Sequence, residues 1–195
     1  IKANIIKNDS LDLTKGENKV LSILKKLYEH CENEVFIYVQ PNLGGKRMDF
    51  ILLDSKRGLS VLEVKDWSSS YISSMNRIEA MLEDRKDKNP IHQLNGYMNI
   101  IKGVLSLDED INVESIAHGR VIFTSLAEIH INSRDFAREL SHPTLSYIAS
   151  DRLSSITIDE LYGDEHANLS TDTLTKLRTL LFPEVKINKV SDNNG

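Results

Sequence analysis

The stretch RMDFILLDSKRGLSVLEVK, which runs from Arg47 to Lys65, is the centre around which the rest of the sequence is organised. It contains two short apolar runs, residues 49–53 and 59–65, separated by a polar turn, and this pattern predicts a hairpin of two buried strands. Three charged residues nevertheless lie inside these runs: Asp49, Glu63 and Lys65. Because unpaired charges are costly to bury, their presence in core strands indicates a metal site or a reaction.

The geometry of this hairpin decides whether the three charges can meet. Residues two apart in a strand face the same side, so Glu63 and Lys65 share one face of the sheet. Asp49 joins that face only if it pairs with residue 63 or 65, since directly opposed residues point the same way. A four-residue loop at 55–58 would turn Asp49 away, whereas three or five residues would bring it to the correct face. We therefore predict an odd-length loop or a one-residue bulge, with Gly58 in a left-handed conformation.

Two carboxylates and a backbone carbonyl on one face are hard oxygen ligands, which suit Mg²⁺ or Mn²⁺ better than zinc. The carbonyl of Val64 is available between Glu63 and Lys65. A nearby lysine can hold a water molecule or neutralise charge on a phosphorane-like oxygen. Hydrolysis of a phosphodiester needs such a set. The alternative is a solvated edge strand with alternating charge, but the apolar residues that flank the charges leave little room for it.

A first helix is predicted ahead of the hairpin. Thr14 followed by Glu17 is a capping-box pattern, and apolar residues at helical spacing continue from Val20 to Cys31. Glu17 lies on the same face as these apolar residues. Its carboxylate therefore either points into a site or only closes the cap and complements the helix dipole.

A second helix is predicted after the hairpin, with Asn89 as its N-cap and Pro90 at the first helical position. Gln93 and Tyr97 are four residues apart and therefore lie side by side on one flank of its apolar stripe. The remaining patterns predict a strand at 34–40, a loop or small hairpin at 66–89, a strand at 120–124, a short helix at 133–140, a strand at 145–149 and a helix at 170–182. This order predicts an α/β fold with a central mixed β-sheet flanked by helices, antiparallel at its start and parallel near the crossover helix.

Composition limits the classes of protein and partner. The 195 residues suit one domain with room for an appendage, and 40% hydrophobic residues suffice for a core. The chain has no apolar run of transmembrane length and no basic-apolar leader, so we expect no membrane association. The single cysteine, Cys31, excludes an internal disulfide and fits a reducing cytoplasm. The net charge of -5 argues against broad coating of nucleic acid but allows binding at one cleft.

The charged hairpin resembles a known nuclease core. Asp49 followed by Glu63-Val64-Lys65 is similar to the D…(D/E)xK core of the PD-(D/E)xK nuclease superfamily. Over about residues 14–125 the sequence more closely resembles the NERD (nuclease-related domain) family. The matching motifs are Gly16-Glu17, Arg47-Met48-Asp49-Phe50, Gly58-Leu59, Glu63-Val64-Lys65 followed by Trp67, and Asn89-Pro90-Ile91-His92-Gln93. In addition, Gln93-x-x-x-Tyr97 is similar to the QxxxY motif of RecB-like nucleases, while Met48 replaces the proline of the superfamily name.

The resemblance implies a restriction-endonuclease-like core and a nuclease site that depends on Mg²⁺ or Mn²⁺. It implies that the metal ligands are Asp49, Glu63 and the Val64 carbonyl. Lys65 would orient the attacking water, and Glu17 would add a carboxylate or hold a metal-bound water. Gln93 would orient Lys65 or contact a phosphate, with Tyr97 supporting it.

Tyr97 is also a candidate substrate contact, together with His92 and Trp67. His92 is adjacent to Gln93 and can meet the substrate, although a structural or exposed histidine is the alternative. Trp67 can stack on a base of single-stranded nucleic acid, but an aromatic residue just after a core strand usually packs in the core. A basic cluster that includes Lys88 either meets a phosphate backbone or is a solvated loop.

The sequence divides into a lead-in (1–13), a NERD-like nuclease domain (14–150), a C-terminal helical extension (151–186) and a flexible tail (187–195). Its polar ending and its start at Ile1 lead us to expect a piece of a larger protein. The resemblance to the NERD family implies a superfamily one DNA helicase in the same chain. The expected substrate is DNA, single-stranded or branched. The alternatives are a catalytically silent module that binds DNA or a partner protein, and a structural domain whose charges are exposed. The complete set of site residues favours an enzyme.

Overall fold

The computed structural model describes residues 3–7 and 12–183. The strands and helices, in chain order, are β1 (Asn4–Lys7), α1 (Lys15–Leu27), β2 (Val35–Val39), β3 (Asn42–Leu43), β4 (Lys46–Arg47), β5 (Phe50–Asp54), β6 (Gly58–Lys65), β7 (Ile72–Met75), β8 (Glu79–Leu82), β9 (Lys86–Lys88), α2 (Pro90–Leu105), α3 (Val113–Ile116), β10 (Ala117–Phe123), α4 (Glu128–Ser133), α5 (Phe136–Glu139), β11 (Ser146–Ile148) and α6 (Thr171–Leu181). Two 3₁₀ helices, Ser150–Ser155 and Ile158–Leu161, follow β11. A six-stranded sheet with the order β1-β2-β5-β6-β10-β11 forms the centre.

The central hairpin has the predicted parity. β5 and β6 pair antiparallel, with Asp54 opposite Gly58, so the loop between them contains the three residues Ser55–Arg57. Gly58 has a φ of 114°, and a Cβ there would lie 2.5 Å from the Ile116 carbonyl oxygen. Because L-residues avoid this conformation and the neighbouring backbone cannot yield, the turn requires glycine. The predicted odd loop with glycine at its end is confirmed.

The rest of the sheet is mixed, as predicted. β10 pairs parallel to β6 after the crossover through α2, and β11 pairs parallel to β10. However, the sheet does not start with an antiparallel pair. Asn4–Lys7 in the segment interpreted as a lead-in form β1, which pairs parallel to β2 across α1. A four-residue edge strand carries too short a pattern to stand out in the sequence.

Helices cover both faces of the sheet. On one face α1 buries Val20, Leu21 and Leu24 against strand residues that include Leu62 and Val64. On the other face α2 buries the apolar stripe predicted for it, and α6 packs against α2. The expected N-caps Thr14 and Asn89 are present, since each accepts hydrogen bonds from the first turn of its helix, and Ser170 caps α6 in the same way. The predicted α/β class with a central mixed sheet is confirmed.

Three local predictions need correction. Residues 66–89 form a separate three-stranded antiparallel sheet of β7, β8 and β9, which is more regular than the loop or hairpin expected. The helix predicted at 133–140 is the shorter α5, because the left-handed φ of 59° at Asp135 separates it from α4, a helix that ends at Ser133 and was not predicted. The strand β10 also begins three residues before the predicted Arg120.

The C-terminal part of the chain packs on the same core. Leu153 and Leu161 of the 3₁₀ helices join the apolar cluster on the α1 face, and Leu177 of α6 joins the cluster on the α2 face. The division at residue 150 stays a prediction, and the expected tail at 187–195 lies outside the described residues. Within the described ranges, no helix combines the length and apolarity needed to cross a membrane.

Candidate active site

The three charges of the hairpin meet at the carboxyl end of β6. Asp49 lies one residue before β5, and the register of Phe50 opposite Leu62 places it across from Glu63. The two carboxyl groups are close enough that each shifts the pKa of the other. Lys65 Nζ lies 3.5 Å from Glu63 Oε1. Glu63 is only 4% exposed, which does not fit a structural domain with solvated surface charges.

The backbone of Val64 completes this group. Its N–H donates to Asp49 Oδ2 at 2.7 Å, and its carbonyl points to the same side because the two groups of a strand residue share an edge. Met48, the next residue in the ladder, donates its N–H to the Pro41 carbonyl instead. The Met48 N–H therefore does not donate to the Val64 carbonyl, and this oxygen remains available beside the two carboxylates.

Burial controls the charge of the two carboxyl groups. It raises the pKa of Glu63 well above its usual range, and the Asp49 carboxylate raises it further, while the Lys65 ammonium lowers it. Burial likewise raises the pKa of Asp49, although the hydrogen bond from Val64 lowers it and the charge of Glu17 raises it. The pair therefore retains a proton well above the pH at which an exposed carboxylate loses one.

This donor set fits a hard divalent cation. The described residues hold no group of three or more His, Cys, Asp or Glu side chains arranged to bind a metal. Mg²⁺ and Mn²⁺ do not require one, because they bind through one or two carboxylates and keep places for water and phosphate oxygens. A cation between Asp49, Glu63 and the Val64 carbonyl would replace the shared proton and remove the repulsion between the two carboxylates.

Glu17 reaches the same region from α1. Its N–H donates to Thr14 Oγ1 at 3.2 Å, which caps the helix, but its carboxylate accepts from Gln40 Nε2 at 2.8 Å. The side chain is 8% exposed, and its charge is close enough to raise the pKa of Asp49. The first turn of α1 therefore places a third carboxylate next to the hairpin pair.

Gln40 is a site residue that the sequence did not reveal. Its side chain bridges Glu17 and Arg47, since its Oε1 accepts from the Arg47 guanidinium. Its backbone N–H donates to the Asp49 carbonyl at 2.8 Å, and its φ is 50°. A left-handed conformation at a non-glycine residue is unfavourable, so surrounding contacts must hold it. No periodicity or motif marks such a position.

Asp66 is a second residue that the sequence did not identify. Its carboxylate accepts from the Gly16 N–H at 3.1 Å and from the Thr124 hydroxyl, which ties the start of α1 to the end of β6. A Cβ on Gly16 would lie 1.4 Å from Asp66 Oδ1, so only glycine allows this approach. The Gly16-Glu17 motif therefore places Glu17 where its charge acts on Asp49. The one feature of the sequence that could have identified Asp66 is its position directly after the Glu63-Val64-Lys65 motif.

The second helix supplies Gln93 and Tyr97. Gln93 Nε2 donates to Tyr97 Oη at 2.8 Å, while Gln93 Oε1 is buried without a hydrogen-bond partner in the parts of the chain that the structure describes. Burial raises the pKa of Tyr97 to about 12, and the charge of Glu63 adds to this effect. Tyr97 is therefore a neutral phenol next to the carboxylates.

Asp87 contributes a contact from the small sheet. Its Oδ2 lies 3.5 Å from Lys65 Nζ, so the ammonium is held between Glu63 and Asp87. The segment that carries Asp87 was predicted only as a loop or hairpin, and its folding back over Lys65 depends on tertiary packing.

Two of the predicted substrate contacts differ in exposure. His92 is exposed on α2 and lines a cleft next to the site. Trp67 is 4% exposed, and its ring packs 6.2 Å from that of Phe123. A base cannot stack on a buried ring, which corrects the expectation for Trp67. Its ring instead packs 5.5 Å from Lys65 Nζ and supports that side chain.

Residues 13–124 match the sequence profile of the nuclease-related domain. The match covers more than half of the chain. The chain belongs to the NERD family. Nothing among the curated proteins matches this NERD chain.

Two solved structures are similar to this NERD chain. The structure of the EndoMS–dsDNA2 complex has 16% sequence identity and a TM-score of 0.38, over 73% of this chain and 48% of the other. The crystal structure of a repair endonuclease from Pyrococcus abyssi has 14% identity and a TM-score of 0.38, over 73% of this chain and 49% of the other. The NERD chain spans about half the length of both.

Proposed function

We propose that this NERD domain is a nuclease that hydrolyses DNA phosphodiester bonds with the help of Mg²⁺ or Mn²⁺. The observation that supports this most is the register of the central hairpin, which places Asp49 opposite Glu63. Lys65 lies against Glu63, and the Val64 backbone lies against Asp49. These are the groups that bind a hard cation and stabilise negative charge on a phosphate.

Asp49, Glu63 and the Val64 carbonyl would hold the metal, which supplies a Lewis acid for the scissile phosphate. Lys65 donates hydrogen bonds to the attacking water and to the phosphate oxygen on which negative charge develops. Its position between Glu63 and Asp87 restricts the ammonium to the face of the carboxylates. The water oxygen then forms a bond to phosphorus as the bond to the leaving oxygen breaks.

Glu17 and Gln93 act at the edges of this site. The Glu17 carboxylate accepts a proton from the attacking water or orients it, since it lies next to Asp49 and is fixed by Gln40. Gln93 Oε1 has no hydrogen-bond partner among the described residues, so it is an acceptor available to Lys65 or to a water molecule. Tyr97 holds the Gln93 amide in this orientation.

The proposed setting is a larger protein in which this domain works beside a superfamily one DNA helicase in the cytoplasm. The support is the resemblance of the sequence to NERD domains that precede such helicases. In this setting the helicase would present single-stranded or branched DNA to the nuclease.

The test is cleavage of single-stranded, duplex and branched DNA with Mg²⁺ or Mn²⁺. We expect cleavage that EDTA abolishes and that Glu63→Gln and Lys65→Ala reduce at least a hundredfold, the usual size of such losses. Lys56→Ala is the matched control, because Lys56 lies in the turn at the opposite end of the hairpin. Cleavage that survives both active-site substitutions would refute the assignment. Binding of DNA without cleavage, unchanged by EDTA, would instead identify a catalytically silent module.

A further inference from the structure

A cleft of about 500 Å³ lies between the β3–β4 hairpin and α2. One wall is formed by Gly45, Lys46 and Arg47, and the other by the face of α2 that carries His92, Gly96 and Tyr97. Lys88, at the end of β9, borders the same space. A cleft of this volume holds a short segment of one polymer strand.

The cleft is electropositive although the chain is acidic. The whole chain has 29 Asp and Glu residues against 24 Lys and Arg. The described residues that line the cleft include Lys46, Arg47, Lys88 and His92 and no acidic side chain. Concentration of one sign of charge in a concave surface attracts ligands of the opposite sign. The cleft is therefore suited to a polyanion.

The cleft lies next to the candidate active site. Gln93 and Tyr97 line it and are hydrogen bonded to each other, and the charge of Glu63 raises the pKa of Tyr97. On the opposite wall, Arg47 is two residues before Asp49 and is bound to Gln40. A strand that lies in the cleft would thus bring one of its phosphates to Asp49 and Glu63.

Gly96 forms an uncovered part of this surface. It lies in the interior of α2, where glycine costs about 1 kcal/mol of helix stability relative to alanine. A Cβ at Gly96 would meet no atom of the described chain within 4 Å, so packing within the protein does not require glycine. Glycine does permit close approach of another backbone to the helix.

We propose that this cleft binds the sugar-phosphate backbone of one DNA strand next to the scissile bond. Lys46 and Lys88 contact phosphates, and Gly96 is the point at which the strand comes closest to α2. The exposed His92 lies beside the bases or sugars of the bound nucleotides. This inference rests on the proposed function, because it names the path of the substrate through the same site.

The test measures binding apart from cleavage. A fluorescently labelled single-stranded oligonucleotide is titrated with the whole chain in EDTA, and anisotropy is read at several salt concentrations. We expect Lys46→Ala and Lys88→Ala each to weaken binding several-fold and to lower the slope of log K against log salt by about 0.7. Lys56→Ala is the charge-matched control and should bind as the unsubstituted chain does. The turn that carries Lys56 lies about 20 Å from Glu63 along β6.

Gly96→Ala tests the close approach. It adds one methyl group, favours the helix and should bind the oligonucleotide more weakly. Gly103→Ala is matched to it, because Gly103 lies in the same helix beyond the cleft and a Cβ there also meets no described atom within 4 Å. Gly103→Ala should not change binding.

The outcomes separate the cleft from the chemistry. If the unsubstituted chain binds DNA and cleaves it in a metal-dependent way, and the Lys46, Lys88 and Gly96 variants match it, the cleft proposal is wrong and the nuclease proposal stands. If metal-dependent cleavage is absent while binding depends on these three residues, the cleft proposal stands without the nuclease. A chain that neither binds nor cleaves DNA overturns both.

Discussion

Asp49 faces Glu63 across the central hairpin because the turn that joins their strands contains three residues. The turn is fixed by a buried hydrogen-bond network at the far end of the hairpin. Asp54 is fully buried and accepts from the backbone N–H groups of Lys56 and Arg57. The hydrogen bonds of Asp54, five residues after Asp49, thus set the strand register at the candidate active site.

The first prediction concerns this network. Asp54 also accepts from the Asn33 side chain at 2.6 Å and pairs with the Arg57 guanidinium at 3.2 Å. Removal of the carboxylate in Asp54→Ala takes the acceptor from the backbone N–H groups of the turn and leaves Arg57 paired with Asp159 alone, which should cost about 3 kcal/mol of unfolding free energy. Urea denaturation measures the loss, and Asp159→Ala is the control because its carboxylate is mostly exposed. A loss below about 1 kcal/mol would contradict the assigned role.

The second prediction concerns stability against pH in the absence of metal. The folded-state pKa of Glu63 is raised, so the folded protein keeps a proton that the unfolded chain releases. Stability is therefore full below the unfolded pKa of about 4.3 and falls as pH rises toward the folded pKa, by up to about 1.4 kcal/mol per pH unit. Urea denaturation in EDTA across this range should show the decline.

Glu63→Gln tests the source of that decline, because glutamine keeps the size of the side chain without titrating. The variant should be more stable than the unsubstituted chain near neutral pH and should lose most of the pH dependence. Equal pH dependence in both proteins would locate the titrating group elsewhere.

The third prediction concerns Mn²⁺ binding. The cation must displace the proton shared by Asp49 and Glu63, so its affinity should rise with pH, by up to about tenfold per unit while one proton is released per ion. Calorimetric titration in buffers of different ionisation enthalpy counts the released protons. Asp49→Asn should abolish saturable binding, whereas an unchanged affinity in that variant would exclude the proposed ligand set.

Much of the site could be predicted from the sequence because it depends on local sequence patterns. The apolar runs mark β5 and β6, Gly58 marks the end of the turn, and strand parity then fixes which side chains share a face. The caps Thr14 and Asn89 likewise mark the starts of the two helices that flank the hairpin.

The missing parts depend on contacts between distant segments. Asp66 meets Gly16 across 50 positions, and Asp87 meets Lys65 across 22, through a small sheet whose strands carry weak patterns. Gln40 owes its conformation to the side chains that surround it. Such arrangements follow from packing of the whole domain, so neither secondary-structure propensity nor the spacing of residues in the sequence predicts them.

The last prediction separates the backbone of Gln40 from its side chain. In Gln40→Gly the positive φ becomes favourable, which should offset much of the cost of losing the side-chain hydrogen bonds, so the protein should fold with near-normal stability. The Glu17 carboxylate would lose its donor, and Arg47 its acceptor, at the edge of the proposed active site. Metal-dependent cleavage should therefore fall at least tenfold while Mn²⁺ affinity changes little, since Asp49 and Glu63 remain. Parallel measurement of cleavage rate and Mn²⁺ binding checks this, with Gln40→Ala expected to be the less stable of the two variants. Cleavage by Gln40→Gly at the rate of the unsubstituted chain would show that Glu17 needs no such support.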